Sequence, residues 1–236
     1  SNVLSGYSPN DIIPKIEESL KGFTIKEGYD IRFGGEQEDQ KETSDFLGKA
    51  MLISLGLIFG ILATQFNSTS KPLIILTEIL FTIIGVFLGI GIFNMGFVIV
   101  MTGIGIVGLA GIVVKNGILL IEFMDELRGR GLKLREAIVE AGKTRLSPVL
   151  LTAASTILGL IPMAIGFNIN FVTLFTELNP KIFLGGDNVA FWGPLSWTII
   201  FGLGFATFIT LVLVPCMYFL NERIKARLKG IDVETL

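Results

Sequence analysis

Five apolar stretches, each long enough to cross a bilayer, take up most of the chain after about residue 48. A hydrocarbon core of about 30 Å needs about 20 apolar residues in a helix. The runs fall at residues 46–66, 72–93, 97–124, 148–168 and 194–220, the last two opening at Pro148 and Pro194. Lipid offers no partner to an open backbone N–H or C=O, so each run must close its hydrogen bonds internally as a helix. One such run could be the core helix of a soluble protein; five in succession specify a membrane protein. The expected fold is mostly α: a polytopic membrane helix bundle of about five transmembrane helices, with a small α/β piece at the N-terminus.

Composition agrees once it is read by region. The chain is 51% hydrophobic and only 17% charged, against about 25% charged for a soluble domain. Much of the charge sits in residues 1–47 and in two later patches. Residues 1–8 have strand character, Pro9-Asn10-Asp11 opens a helical pattern of Ile12, Ile13, Ile16 and Leu20 closed by Gly22, and Tyr29 to Phe33 alternates as a strand. This strand–helix–strand unit is too small to bury a core alone, so 1–45 reads as the end of a larger subdomain and 46–236 as the membrane domain. The opening SNVLSGYSPN has no basic or apolar leader and reads as the interior of a longer protein.

The loops set an orientation. DELRGRGLKLREAIVEAGKTRL, between the third and fourth runs, carries Arg128, Arg130, Lys133, Arg135, Lys143 and Arg145. The tail carries Arg223, Lys225, Arg227 and Lys229, and Lys71 follows the first run. The opposite loops, 94–96 and 169–193, carry only Lys181. Basic loops stay in the cytoplasm, which places the C-terminus there and residues 1–45 outside, or in the periplasm of a Gram-negative cell. Topology accounts for the basic loop without a nucleic-acid partner. Within it, Leu132, Leu134, Ala137, Ile138 and Ala141 predict a short amphipathic helix along the membrane surface.

The chain has no histidine and a single cysteine, Cys216. That excludes a zinc site, a Ser-His-Asp triad and a disulfide framework within this chain; no metal or cofactor is expected.

Lys115, in GIVVKNGILLIEF, is the charge that needs explaining. It lies about five helical turns from the outer end of its run and more than two from the inner end. A lysine at that depth must snorkel, pair or lose its proton. Glu122 shares its face but is seven residues away. It reads as interfacial, as does Glu78 near the start of its own run. The counter-ion therefore stands on a helix outside this chain, or the lysine is neutral. Asn116 could add hydrogen bonds. Arg145 and Thr152, seven residues apart, share a face. Arg145 would sit at the cytoplasmic mouth as an anchor. Thr152, a turn inside, could relay a proton or bond a backbone carbonyl. Gly103, Gly105, Gly108, Gly111 and Gly117, with Ala110, form a small-residue face for close helix packing. GIGIVG has no βαβ context and is no phosphate loop.

Residues 97–166, through GIVGLAGIVVKNGILLIEF and EAIVEAGKTRLSPVLLTAASTILGLIPM, resemble the resistance-nodulation-division (RND) efflux transporters, above all their hydrophobe/amphiphile multidrug branch of the acriflavine-resistance type. The resemblance runs over nearly the whole chain, more weakly in 1–45 and 169–193. It implies the C-terminal part of a proton/drug antiporter of the bacterial inner membrane, not an enzyme: the end of a periplasmic porter subdomain, then the last five transmembrane helices. It implies that Lys115 pairs with two aspartates on a helix of the N-terminal half, and that Thr152 and Arg145 belong to the same proton relay, with Asn116 beside them. It also implies amphiphilic drug-like substrates and a homotrimer working with a periplasmic adaptor and an outer-membrane channel. The heavy-metal branch tends to carry an acidic residue where Lys115 stands, and the protein-export relatives lack the Lys-Asn motif. Export of a metal, lipid or protein is the neighbouring alternative. A non-transporting scaffold or assembly subunit would need no buried charge, and no charged or carbonyl-lined pore pattern supports a passive channel. The loop 169–193, with Phe171, Phe175 and Trp192, is longer than in familiar multidrug members.

Overall fold

The structure, a computed structural model, describes Ile16, Glu18, Ser19 and residues 36–228. The chain divides into two units, Ser1–Asp39 and Gln40–Leu236. In the first, Ile16, Glu18 and Ser19 are helical. The rest of the strand–helix–strand expectation lies outside the described residues, as does Lys229 of the basic tail.

Along the membrane part run α1 (Glu36–Phe66), α2 (Ser70–Ile92), α3 (Ile99–Gly129), α4 (Leu134–Ile165), β1 (Phe167–Asn168), α5 (Phe171–Glu177), β2 (Phe183–Leu184) and α6 (Asp187–Leu228). The five long helices are each apolar and long enough to span a bilayer. The fold is a mostly α, polytopic membrane helix bundle.

Two sequence expectations about helix ends are corrected. Pro148 does not open a helix: α4 starts at Leu134 and runs through Pro148 and Pro162. The separate amphipathic surface helix is therefore absent. Its apolar residues Leu134, Ala137 and Ala141 are buried in the same cluster as Met124, Leu127 and Tyr218. Likewise α6 is 42 residues long, with Pro194 and Pro215 inside it, so residues 187–193 of the supposed loop are helical. Near Pro194, Thr198 Oγ1 donates to Pro194 O at 2.6 Å, and Trp197 Nε1 donates across to Ala164 O at 3.0 Å near the end of α4, where the last carbonyls of a helix lack internal donors.

What remains of the long loop is a small hairpin. β1 pairs antiparallel with β2, Phe167 opposite Leu184 and Asn168 opposite Phe183. The Asn168 amide donates to Gly166 O and Gly185 O. Gly166 ends α4 with φ +69°, and a Cβ there would collide with Val189 Cγ2.

The last helix is the centre of the bundle. α6 packs against α2, α3 and α4, while α3 also touches α2 and α4. Association inside a bilayer depends on close fit, because lipid is as apolar as the side chains. Phe205 lies over Gly85 and Phe201 over Gly89, so close that a Cβ at either glycine would stand 2.5 Å or less from ring-bearing side-chain atoms. These pairs run in opposite directions along the two helices, which makes α2 and α6 antiparallel. α3 and α6 are parallel in constant register: Gly105 meets Thr198, Leu109 meets Gly202 and Gly117 lies at the level of Thr210. The α3 glycines therefore do not form one packing face. Gly105 and Gly117 are contact points, and Gly103 meets Leu47, whereas Gly108 and Gly111 face open space. α1 is peripheral. Leu62 is buried with Met51, Leu55 and Ile58 against the core, while Leu52, Ile53, Leu57 and Ile61 stay exposed.

Candidate functional site

Lys115 is exposed, on the α3 stripe of Ile104, Gly108, Gly111 and Glu122, all of which are exposed. Asn116 is half-buried. Thr152 is exposed on the neighbouring α4, its hydroxyl donating to Val149 O at 3.0 Å. Arg145 is half-buried, its guanidinium 4.8 Å from the Phe123 ring centre. Its Nε is buried without a hydrogen-bond partner among the described residues. Within the described residues no hydrogen bond or ion pair joins these four side chains. The structure thus sets Lys115 and Thr152 on open surfaces of two packed helices, and among the described residues no carboxylate pairs with Lys115. Beside this face, a cleft of about 330 Å³ separates α1 from α3, lined by Ser54, Leu55, Ile58, Val107, Ala110 and Gly111 among others.

Glu78 departs from its sequence reading. It is not interfacial: its side chain is 1% exposed, among the most buried in the chain. The reason is its stripe. Ile74, Ile75, Glu78, Thr82, Gly85 and Gly89 recur at helical spacing, and all are buried on the side of α2 that meets α3 and α6. The carboxyl sits against Gly117, where a Cβ would come within 2.5 Å of Oε1. Thr210 Oγ1 of α6 donates to Oε2 at 3.1 Å, and Oε1 has no hydrogen-bond partner among the described residues. Lys115 is not its counter-ion. Two residues separate Lys115 from Gly117, or about 200° around the helix, so the lysine and the carboxyl lie at nearly one depth on opposite sides of α3.

About two turns nearer the basic end lies a polar layer that the sequence did not reveal. Lys71 pairs with Asp125 at 2.5 Å, and the buried Tyr218 hydroxyl donates to the other Asp125 oxygen at 2.6 Å. This ties α2, α3 and α6 together. Next to it, Arg128 bonds Glu222 at 2.6 Å, and Lys225 bonds the same carboxylate at 3.2 Å. Lys71 and Arg128, read from sequence only as topology signals, are thus structural ties. No local pattern could have paired them, because Lys71 and Asp125 stand 54 residues apart and Arg128 and Glu222 stand 94 apart.

The five long apolar helices, with an exposed lysine on α3, define a polytopic membrane helix bundle. The chain belongs to the AcrB/AcrD/AcrF family of RND efflux transporters, whose family model matches residues 1–169. It is 33% identical over 220 residues to the swarming motility protein SwrC of Bacillus subtilis, covering 93% of this chain and 19% of that protein. It is 28% identical to the cobalt-zinc-cadmium resistance protein CzcA of Cupriavidus metallidurans over 92% of this chain and 19% of the relative. Among solved structures it is similar to a heavy metal efflux pump, with TM-score 0.70 and 25% identity over 92% of this chain and 20% of the pump. The chain therefore spans about a fifth of the length of the relatives it matches.

Proposed function

We propose that this chain is the C-terminal membrane part of a proton-driven efflux permease and that it carries the cationic side of the proton relay. The observation behind this reading is Lys115: a cation at mid-span, open to one side, with Thr152 on the adjacent helix and no anion within the described residues. An isolated lysine at that depth costs several kcal/mol, so a carboxylate from the rest of the protein is the group that completes it. Protonation of that carboxylate would release Lys115, shift the helices and change the state of the periplasmic domain, coupling protons to substrate through their different affinities for the two conformers. Asn116 would steady the lysine, and Thr152 and Arg145 would line the proton's path. The basic end, with Lys71, Arg128 and Lys225, faces the cytoplasm on this reading, and residues 1–45 lie in the periplasm of a protein of the inner membrane.

Amphiphilic drug-like compounds are the proposed cargo, on the Lys-Asn motif. Transition-metal export is the second reading, favoured by the likeness to CzcA and to the heavy-metal pump. A homotrimer with an adaptor and an outer-membrane channel is the proposed assembly. In the full-length protein, Lys115→Ala should abolish efflux of both a dye substrate and divalent metal at unchanged expression; normal efflux of either in that variant would overturn the assignment. Which cargo the parent protein exports decides between the two readings.

A further inference from the structure

We propose that Glu78 is a second proton-binding site of the membrane domain, set apart from the Lys115 face. The inference rests on the proton-driven reading only for its transport arm. Its geometry stands alone: a carboxyl group closed in by α2, α3 and α6, 1% exposed, with one hydroxyl donor and one oxygen unpartnered among the described residues.

A carboxylate is stable in such a place when a cation or several donors face it. The surroundings offer one hydroxyl. Toward the basic end α2 carries Lys71, α3 Asp125 and α6 Tyr218, and these three are tied to one another about two turns away; Cys216 of α6 is exposed. Lys115 and Glu122 lie on the far side of α3. The proton is thus the cation that fits: it neutralises the carboxyl without needing the six or so oxygens that a larger ion takes. Gly117 keeps the space beside Oε1 that a side chain would fill, and Thr210 fixes the other oxygen. Because Glu78 and Lys115 sit at nearly the same depth on opposite sides of α3, a shift of that helix alters both environments together.

The test is infrared spectroscopy on the full-length protein in liposomes, titrated from about pH 5 to about pH 10, with parent and Glu78→Gln compared. The expected result is a protonated-carboxyl C=O band at neutral pH, absent in E78Q and lost on titration to alkaline pH. Thr210→Val should move that band to higher frequency, since the hydroxyl no longer bonds the carboxyl; a purely space-filling role for Thr210 would leave it in place. E78Q should also displace the pH profile of efflux, which Lys115→Ala abolishes outright. No band at neutral pH, a band that persists at every pH, or one removed by sodium at constant pH would each overturn the proposal. An unchanged efflux profile in E78Q, with Lys115→Ala inactive, would overturn it while sparing the Lys115 reading. Normal efflux in Lys115→Ala would do the reverse.

Discussion

Gly117→Ala tests the tightest polar contact in the bundle. The added Cβ would stand 2.5 Å from Glu78 Oε1 and 3.0 Å from both Cδ and Oε2, where ordinary contact needs about 3.5 Å. The carboxyl has little room to turn, because it is buried and Oε2 takes the Thr210 hydroxyl at 3.1 Å. Either that bond breaks or α2 and α3 move apart by about 1 Å. Overpacking of this kind costs about 1–3 kcal/mol, and the lost hydrogen bond adds about 1 kcal/mol. Alanine returns up to about 1 kcal/mol through its better helix propensity. The expected net loss is about 2 kcal/mol. Unfolding of the full-length protein by graded denaturing detergent measures it, with Gly142→Ala as the control. Gly142 also lies inside a helix, but a Cβ there meets nothing within 4 Å, so that variant should equal or exceed the parent. Adding Glu78→Ala to Gly117→Ala should recover at least about 1 kcal/mol relative to the sum of the single changes. If Gly117→Ala is as stable as Gly142→Ala, the carboxyl does not occupy this notch and the packing argument fails.

Two further outcomes follow from the same contacts. Tyr218→Phe keeps the buried ring but removes the hydroxyl from Asp125 at 2.6 Å; the same titration should show a loss of about 1–2 kcal/mol, and no loss would mean that the Lys71 pair alone satisfies the carboxylate. Gly166→Ala meets both a left-handed backbone and a collision with Val189 Cγ2, so it should cost more than Gly131→Ala, where φ is +94° but the space is open; equal costs of about 1 kcal/mol would leave only the backbone effect.

The spans were legible because bilayer thickness leaves so few ways to use a long apolar run. Their ends were not. Proline normally marks a helix start, yet Pro148 and Pro194 stand inside α4 and α6. Polar segments such as 134–147 also continue a helix once their small residues find a core, as Ala137 and Ala141 do. Lys115 stood out by its charge within an apolar run, and it is exposed on α3. Glu78 was misjudged for the opposite reason. A carboxylate near the start of a run looks interfacial when the run is read alone. What buries it is Gly117 and Thr210, the latter 132 residues away. The signal available was the stripe from Ile74 to Gly89, which carries Glu78 and Thr82 among its apolar and small residues at helical spacing.

The two phenylalanine rings over Gly85 and Gly89 limit how the bundle can move. Both pairs repeat every four residues, about 6 Å along the axis. α2 cannot creep along α6 by a fraction of that length, since each ring would ride up onto the side chains between the glycines. A full step would seat Phe201 over Gly85 and leave Phe205 without a notch. Sliding between these helices is therefore a ratchet with discrete stops, of the one-turn kind, and small displacements must be taken up by tilting or by the loosely held α1.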